Sequence, residues 1–220
     1  MVKAFGYGAG SFELAKTLQD HRCDYVAVAV ADEGADLRHA GISIPIIVMN
    51  PEFGSFNALF ENQLEPEIYS FRLLEAMIKE TDRRGITSYP IHLKIDTGMH
   101  RLGFQPKDIP AICEYLKLQS GVAVRSVFSH LAGSDSYVFD DFTKQQIETF
   151  QKAAAELEKG LEYQVIKHIL NSAGIERFPD YQMDMVRLGI GLYGVSASGQ
   201  KGLRNVSPLK RTILQIQDVP

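Results

Sequence analysis

A lysine near the start of the chain has the clearest potential for chemistry. Lys3 stands between apolar residues, and glycines follow at positions 6, 8 and 10. Charged lysines are rarely buried unless they are paired, and a lysine amine taken out of water loses its proton more easily, as a Schiff-base nucleophile must. A lysine at the tip of a strand can also extend its amine into solvent. These residues alone favour the two interpretations about equally.

The composition limits the classes of partner and compartment. The chain has 220 residues, of which 45% are hydrophobic, and a net charge of -4. This length supports one large α/β domain or two small ones, and the charge does not favour nucleic acid or an anionic membrane as a partner. Cys23 and Cys113 show no metal-binding or C-x-x-C spacing. With no signal peptide and no long apolar run, the sequence predicts a cytoplasmic protein without a membrane partner or a bound metal.

Short apolar, β-rich runs alternate with amphipathic helical patterns along the chain. The helical pattern is clear where Phe142, Ile147, Phe150 and Leu157 share one face. Continuous apolar strands that are each followed by a helix predict a parallel sheet covered on both faces. Eight strands close a (β/α)8 TIM-type barrel, and an open doubly wound sheet is the competing architecture. The eight strand candidates are Val2–Phe5, Tyr25–Val30, Ile44–Met49, Glu67–Phe71, Ile91–Ile95, Val124–His130, Val165–Leu170 and Met185–Ile190.

In a barrel of this kind the functional side chains lie at the carboxyl ends of the strands. The polar residues at or just after those ends are Lys3, Lys94, Asp96, Arg101, Ser129, His130, Asn171, Ser172, Arg187 and the turn Gly189–Gly191. A lysine nucleophile, a histidine, two arginines and a glycine-rich turn suit an anionic cofactor that carries a carbonyl group. The sequence has no H-E-x-x-H, G-x-S-x-G or Walker pattern, so it does not indicate a metalloprotease, an α/β-hydrolase or a P-loop protein.

Each of these residues also has a structural interpretation. A single histidine at a strand end, such as His130, is more often structural than functional, and we expect the other five histidines on the surface or in packing. Gly189–Gly194 matches G-x-G-x-x-G, but no helical pattern follows it and no acidic residue stands at the ribose position. A phosphate site after the last strand therefore fits better than a dinucleotide site. Glu67 and Asp96 stand on different strands, so we give a catalytic carboxylate pair little weight.

Five segments together resemble the motifs of alanine racemases, in order and at suitable spacing. The segments are Val2–Gly10 (VKAFGYGAG), His92–Gly103 (HLKIDTGMHRLG), Ser129–Ala132 (SHLA), Asn171–Ala173 (NSA) and Val186–Gly194 (VRLGIGLYG). The resemblance covers nearly the whole chain, and five motifs in register are far more specific than one. The sequences of Val2–Gly10 and Ala31–Arg38 are most similar to racemases fused behind a muropeptide ligase.

The resemblance implies a fold-type III barrel that binds pyridoxal 5'-phosphate (PLP), together with a second, β-rich domain. It implies that Lys3 forms the Schiff base with PLP and serves as one of two catalytic bases. The other implied roles are phosphate binding by Tyr7, Ser172 and the backbone of Gly189 and Ile190, donation to the pyridine nitrogen by Arg187, contact with the cofactor ring by His130, a position near the phenolic oxygen for Arg101, and cofactor contact by Asn171. Lys94 matches a lysine that is often carbamylated in the family and then contacts the arginine that Arg101 matches.

The implied activity is conversion of L-alanine to D-alanine, for peptidoglycan, in a homodimer. In the family the second base is a tyrosine from the β domain of the partner subunit, and no tyrosine here matches it. We therefore expect residues 1–205 to form a barrel truncated at its N-terminus, residues 206–220 to begin a C-terminal β domain that the chain lacks, and the chain alone to be inactive or weakly active. The alternatives are a single-domain PLP-binding protein of cofactor homeostasis without racemase activity, and a racemase for another amino acid.

Overall fold

In the part of the chain that is described, six parallel strands form a curled sheet whose outer face is covered by helices. The computed structural model describes residues 1–199, 202–206 and 215–217. The strands lie side by side in chain order: β1 (Val26–Val28), β2 (Ile46–Val48), β3 (Glu65–Ile68), β4 (Tyr89–Lys94), β5 (Val122–Phe128) and β6 (Ile166–His168). The helices are α1 (Lys3–Tyr7), α2 (Ser11–Asp20), α3 (Ala31–His39), α4 (Phe56–Glu61), α5 (Phe71–Arg84), α6 (Ile109–Lys117), α7 (Asp140–Leu161) and α8 (Ser172–Arg177).

The residues of the strands and helices account for this arrangement. β1 and β2 consist of valine, isoleucine and alanine, and all their residues are buried, as expected in a parallel sheet covered on both faces. α5 begins where the Ser70 hydroxyl accepts a hydrogen bond from the Leu73 N–H at 3.3 Å, and it ends at Gly85, whose φ of 65° suits glycine. Leu74 and Met77 on this helix pack against the sheet. The helices therefore serve as the crossovers that parallel strands require.

The first and last of the eight predicted strands are not regular strands. Val2–Phe5 instead leads into α1, where the three residues after Lys3 have left-handed backbone with φ between 52° and 62°. Met185–Ile190 is extended without regular strand pairing and ends in a 3-10 turn that begins at Ile190. An apolar run predicts burial, but left-handed backbone turns the chain and cannot continue a strand ladder. The prediction of regular strands was therefore wrong at these two positions.

Backbone hydrogen bonds nevertheless hold these two segments beside the sheet. The Val2 N–H donates to the Ala27 carbonyl of β1 at 2.9 Å, and the Arg187 N–H donates to a carbonyl just beyond β6 at 3.0 Å. The Met1 amine donates to the Leu188 carbonyl at 3.0 Å, which joins the two segments to each other. The predicted TIM-type barrel is thus confirmed as an architecture, with regular strands at six of the eight predicted positions.

Apolar and polar side chains occupy opposite faces of the sheet. The larger apolar cluster lies between the strands and helices α5, α6 and α7, and a smaller one lies beneath α2, α3 and α4. Ile91 and Leu93 of β4 belong to the larger cluster. Because side chains alternate along a strand, the neighbouring His92 and Lys94 point into the barrel, where both are buried. The side chains that face the inside of the barrel are therefore polar, whereas those of the outer layer are apolar.

Two predictions concern the C-terminal residues of the chain and whether any of its helices could cross a membrane. Residues 206–220, predicted to begin a C-terminal β domain, lie largely outside the described residues, and the predicted domain boundary at residue 205 stays a prediction. Within the described ranges, no helix combines the length and the apolar character needed to cross a membrane.

Candidate active site

One cavity collects all the residues that the motifs predicted for the cofactor site. It has a volume of about 650 Å³, which is within the usual range for small-molecule sites, and it opens at the carboxyl ends of the strands. The predicted residues that line it are Lys3, Tyr7, Lys94, Arg101, His130, Asn171, Ser172, Arg187, Gly189 and Ile190. They are far apart in the sequence, and the shared edge of the parallel strands brings them together.

Two other polar residues at the strand ends do not line this cavity. Asp96 accepts hydrogen bonds from the N–H groups of Gly98 and His100, both at 3.0 Å. The Ser129 hydroxyl lies 2.7 Å from the Thr97 hydroxyl. Both side chains therefore hold the loop after β4 in place. Asp96 therefore does not form a carboxylate pair with Glu67 in the cavity.

A left-handed turn places Lys3 at the cavity. Lys3 is the first residue of α1, and the Val2 N–H before it is bonded to β1. The Glu33 carboxylate of α3 accepts hydrogen bonds at 2.7 Å from the Ala4 N–H, just after Lys3, and at 2.7 Å from the Ala29 N–H, just after β1. The backbone is therefore fixed on both sides of Lys3, and Glu33 joins it to the end of the first regular strand.

Five acceptors hold the guanidinium of Arg187. Its Nη1 donates to the Nδ1 and the carbonyl oxygen of His168 at 2.8 and 3.1 Å. Its Nη2 donates to the carbonyls of Ser129 and Ile169 at 2.6 and 3.0 Å, and to the Nδ1 of His130 at 3.3 Å. Burial lowers the pKa of Arg187 to about 10, although a nearby carboxylate opposes this shift. Arg187 is therefore a cation at neutral pH with a fixed orientation.

The imidazole of His130 is neutral. Burial, together with the charges of Arg187, Arg101, Lys94 and Lys3, lowers the pKa of His130 to about 3. Because its Nδ1 accepts from a guanidinium, which can only donate, its proton is on Nε2. A neutral ring at the wall of the cavity can lie against a flat ligand without adding charge.

A buried ion pair lies inside the barrel against the cavity. The Lys94 Nζ is 2.9 Å from the Glu67 Oε1, and both side chains are nearly inaccessible to solvent. Burial raises the pKa of Glu67, and the charges of Lys94, Arg187 and Arg101 oppose this. The Glu67 Oε2 has no hydrogen-bond partner among the described residues. Cations outnumber anions around the cavity: Lys3, Lys94, Arg101 and Arg187 face Glu67 and Asp135.

Hydroxyl and backbone N–H groups form a cradle at one end of the cavity. The Ser172 Oγ accepts hydrogen bonds from the N–H groups of Gly189 and Gly191 at 3.0 and 3.1 Å. Its own hydroxyl proton is donated to no group in the described part of the chain. A methyl group added at Gly189 would lie 3.6 Å from both the Ser172 Oγ and the Tyr7 hydroxyl. The glycine thus keeps open a space that two hydroxyl donors border.

Asn171 supports this cradle from behind. Its Oδ1 caps α8 by accepting from the Gly174 N–H at 2.9 Å, and it also accepts from the Ser134 hydroxyl at 2.8 Å. Its Nδ2 donates to the Leu131 carbonyl at 3.3 Å. Because both ends of the amide are engaged, Asn171 positions Ser172 and the loop after β5. Its predicted role as a direct cofactor contact stays a prediction.

A family comparison covers most of the chain. The profile of the family described as alanine racemase, N-terminal domain, matches residues 1–197. This chain belongs to that family. The resemblance inferred from the five motifs is thereby confirmed.

Full-length alanine racemases are similar to the whole of this chain. Those of Carboxydothermus hydrogenoformans and Desulfovibrio desulfuricans are 37% and 34% identical over 228 and 227 aligned residues, which cover 100% of this chain but 61% and 60% of those proteins. The structure of the alanine racemase of Clostridium difficile 630 in complex with cycloserine has a TM-score of 0.85 at 33% identity, over 93% of this chain and 57% of that one. The structure from Bartonella henselae with covalently bound pyridoxal phosphate has a TM-score of 0.80 at 25% identity, over 91% of this chain and 57% of that one. The chain spans about three fifths of the length of the curated relatives it matches.

Some polar residues inside the barrel were not identified from the sequence. Glu67 received little weight, yet it lines the cavity, and His92 and His168, which were expected on the surface or in packing, are wholly buried inside the barrel. A signal for them is present in the sequence. Polar residues stand two positions apart within strands that otherwise look apolar, as Glu65 and Glu67 do in β3. This spacing places them on one face, and here that face is the barrel interior.

Proposed function

We propose that this chain is the cofactor-binding barrel of a PLP-dependent alanine racemase. The observation that most supports the proposal is that Lys3, Arg187 and the cradle of Ser172 and Tyr7 border the same cavity of about 650 Å³. Lys3 would match a carbonyl group, Arg187 a ring nitrogen, and the cradle a phosphate. The family and the full-length relatives point to the same activity.

The donors around the cavity fit PLP. The hydroxyls of Ser172 and Tyr7 would hold the phosphate, because they are uncharged donors that border the open space beside Gly189. The N–H groups of Gly189 and Gly191 would orient the Ser172 hydroxyl, since both donate to its Oγ. The excess of cations suits a cofactor with net negative charge. The resemblance gives the remaining assignments: Arg187 for the ring nitrogen, Arg101 for the phenolic oxygen, His130 for the ring face and Lys3 for the carbonyl carbon.

Lys3 would act as one of two bases. When bound, PLP supplies an electron sink that stabilises negative charge at the Cα of an amino acid. Racemisation removes a proton from one face of Cα and returns one to the other face, so a base is needed on each side. We assign the Nζ of Lys3 to one face. A positioned base contributes roughly 10²–10⁴ in rate, so the loss of either one should nearly abolish turnover.

Arg187 would favour racemisation over side reactions. With a pKa of about 10 and five acceptors, it keeps its proton and its orientation at neutral pH. A ring nitrogen that meets this guanidinium receives a hydrogen bond but not a proton. The electron sink is then weaker, which should suppress transamination.

We assign the second base to the tyrosine that the family takes from the β domain of the partner subunit. Neither Tyr7, which lines the cavity and is assigned to the phosphate, nor its neighbour Tyr193 is available as that base. Tyr7 and Tyr193 pack with ring centroids 4.9 Å apart, and the Tyr193 hydroxyl donates to the Met1 carbonyl at 3.2 Å. We therefore propose that the whole protein is a homodimer, that it produces D-alanine for peptidoglycan, and that it does so in the cytoplasm.

Carbamylation of Lys94 stays a prediction, and the neighbouring carboxylate weighs against it. A carbamate would place a second anion beside the buried Glu67, which now lies 2.9 Å from the Lys94 Nζ. Two buried anions at that separation repel strongly. The ¹³C NMR spectrum of protein incubated with ¹³C-bicarbonate decides the question, because a carbamate gives a signal of its own.

Spectroscopy tests cofactor binding on the chain as it stands. PLP mixed with the protein should produce a new visible absorbance band, and borohydride should then fix a pyridoxyl group that peptide mapping finds on Lys3. Lys3→Ala should lose the band, whereas Lys152→Ala, which changes an exposed lysine of α7, should keep it. Labelling of surface lysines alone, equal in the wild type and in Lys3→Ala, would contradict the proposal.

An assay of the whole protein tests the reaction. Purified protein that includes the remaining two fifths of the relatives' length should interconvert L- and D-alanine, as followed by chiral chromatography. Activity on another amino acid but not on alanine would make it a racemase of different specificity. PLP bound on Lys3 without racemisation of any amino acid would support the binding protein instead.

A further inference from the structure

A continuous series of hydrogen bonds runs through the barrel from Arg187 to Glu65. The Arg187 Nη1 is 2.8 Å from the His168 Nδ1, and the His168 Nε2 is 3.0 Å from the Ser126 Oγ. The Ser126 Oγ is 2.6 Å from the His92 Nδ1, and the His92 Nε2 is 2.8 Å from the Glu65 Oε2. The three middle side chains are completely buried, and only Arg187 of the five lines the cofactor cavity.

Donors and acceptors along this series have one consistent arrangement. A guanidinium only donates, so the His168 Nδ1 accepts and the His168 proton is on Nε2. That N–H donates to the Ser126 Oγ. The Ser126 hydroxyl proton then has one acceptor left among the described residues, the His92 Nδ1, so His92 also carries its proton on Nε2. This last N–H donates to the Glu65 carboxylate, which can only accept.

The other protonation states leave a buried group without a partner. Burial, together with the charge of Arg187, lowers the pKa of His168 well below its usual value, so His168 is neutral. An imidazolium at His92 would aim a second N–H at the Ser126 Oγ and leave the hydroxyl proton with no acceptor. A buried donor left without an acceptor destabilises the fold. The four hydrogen bonds therefore all run in one direction, each donated from the cavity side toward the opposite end of the barrel.

We propose that Ser126, His92 and Glu65 are positioning residues that fix Arg187 from inside the barrel. Aligned hydrogen bonds polarise one another in a low-dielectric interior, so the Glu65 carboxylate strengthens the hold on the guanidinium. Glu65 precedes the cavity residue Glu67 by two positions on β3, so it acts from about 7 Å deeper in the barrel. The role of Arg187 as a cofactor contact rests on the proposed function, but the hydrogen-bond series does not.

The distal end of the series can be altered with little damage to the fold. The Glu65 side chain is 14% exposed and borders a second, smaller cavity with Arg38 and Tyr89. This cavity lies at the amino ends of the strands, away from the PLP site. Glu65→Gln keeps an acceptor oxygen for the His92 N–H, whereas Glu65→Ala removes it.

NMR tests the direction of the series without any cofactor. In protein labelled with ¹⁵N-histidine, long-range ¹H–¹⁵N spectra should show His92 and His168 both neutral and both in the Nε2–H tautomer. Glu65→Gln should leave both signals in place, and Ser126→Ala should shift both, because His92 loses a donor and His168 loses an acceptor. Thr81→Val is the matched control: it removes a buried hydroxyl from α5, outside the barrel, and should move neither signal. An imidazolium or an Nδ1–H tautomer at either histidine would overturn the proposal.

The effect on Arg187 separates positioning from packing. Ser126→Ala and Glu65→Ala should weaken PLP binding about tenfold, and Glu65→Gln should keep it within about twofold. Rotation of the Arg187 Nη groups, measured by ¹⁵N exchange NMR in protein without PLP, should be faster in Ser126→Ala than in Thr81→Val. This second measurement remains valid if the wild type fails to bind PLP, an outcome that would refute the proposed function alone. Unchanged Arg187 rotation in Ser126→Ala would overturn the positioning role.

Discussion

The two faces of the same sheet are built on different principles. The outer face packs apolar side chains against α5, α6 and α7, where Leu74, Ile91 and Phe150 are all fully buried. The inner face, equally buried, holds the ion pair of Glu67 with Lys94 and the hydrogen-bonded series that ends at Arg187. Barrels of this type usually fill their interior with branched apolar residues.

The difference separates stability from function. Apolar contacts in the outer layer are non-directional, so many different sequences can supply them. Polar groups inside the barrel must each meet a specific partner, because an unpartnered one costs free energy. The inner face can therefore fix the orientation of Arg187 and the charge of His130, and the outer face provides the stability that allows this.

The largest loss of stability should come from the outer layer. Phe150→Ala removes a fully buried ring from α7 and should lower the free energy of unfolding by about 3–5 kcal/mol, as followed by urea denaturation. The control is Leu118→Ala, which changes a side chain that is 88% exposed and should cost less than about 0.5 kcal/mol. Equal losses for the two variants would mean that the outer layer is not the main source of stability.

Substitutions inside the barrel should compensate for one another. Glu67→Gln leaves the Lys94 ammonium buried without its counter-charge and should cost about 2–4 kcal/mol of unfolding free energy. Lys94→Met should cost a similar amount. The double variant should cost clearly less than the sum of the two, because it leaves no unpaired charge. Strict additivity in urea denaturation would show that the two side chains do not form a pair.

Acidification should destabilise the barrel through His130. The folded-state pKa of His130, about 3, is below the usual value of about 6.5, so below pH 6.5 the unfolded chain binds a proton that the folded chain does not. This contribution is complete above pH 6.5 and is lost as the pH falls toward 3. The difference in unfolding free energy between the wild type and His130→Asn should decrease by about 2 kcal/mol from pH 7 to pH 5. A constant difference over that range would mean that His130 titrates normally in the fold.

The smallest effect should come from Glu33, whose carboxylate joins the turn of α1 to the end of β1. Glu33→Gln replaces one carboxylate oxygen with an NH₂ group that faces a backbone N–H, so one of the two bonds to Ala4 and Ala29 is lost. We expect a cost of about 1 kcal/mol in unfolding free energy and a several-fold weaker binding of PLP, measured by absorbance titration. Asp32→Asn, on the exposed side of the same helix, should change neither quantity. If both variants behave alike, Glu33 does not position Lys3.

Most of the architecture could be predicted from the sequence because it depends on local patterns. β1 and β2 are wholly apolar runs, and the long helix α7 keeps one apolar stripe, so their type and order follow from periodicity. The predicted bounds of β3 were shifted, since the apolar Phe71 that seemed to end it instead begins α5. An apolar residue at the border of two buried elements fits either one.

The sequence could predict which residues form the candidate site but not the contacts that they make. His130 and Ser172 each follow a strand, and Lys3 and Arg187 lie in the two segments held beside the sheet, so the barrel architecture brings all four to one edge. The sequence could not show that the Asn171 amide also accepts from the Ser134 hydroxyl and donates to the Leu131 carbonyl, because these partners lie 37 and 40 residues away along the chain.

The sequence by itself determined the family, the parallel barrel and the set of residues around the cavity, because these depend on short motifs and on side chains that alternate along each strand. Only the tertiary structure decided that the residues after Lys3 turn left-handed and that Glu67 pairs with Lys94. It alone also placed Ser126 between two histidines. The physical reason is that these features depend on long-range contacts: Glu33 holds the turn after Lys3 from α3, and the ion pair and the Ser126 contacts require groups from separate strands to meet where water is excluded.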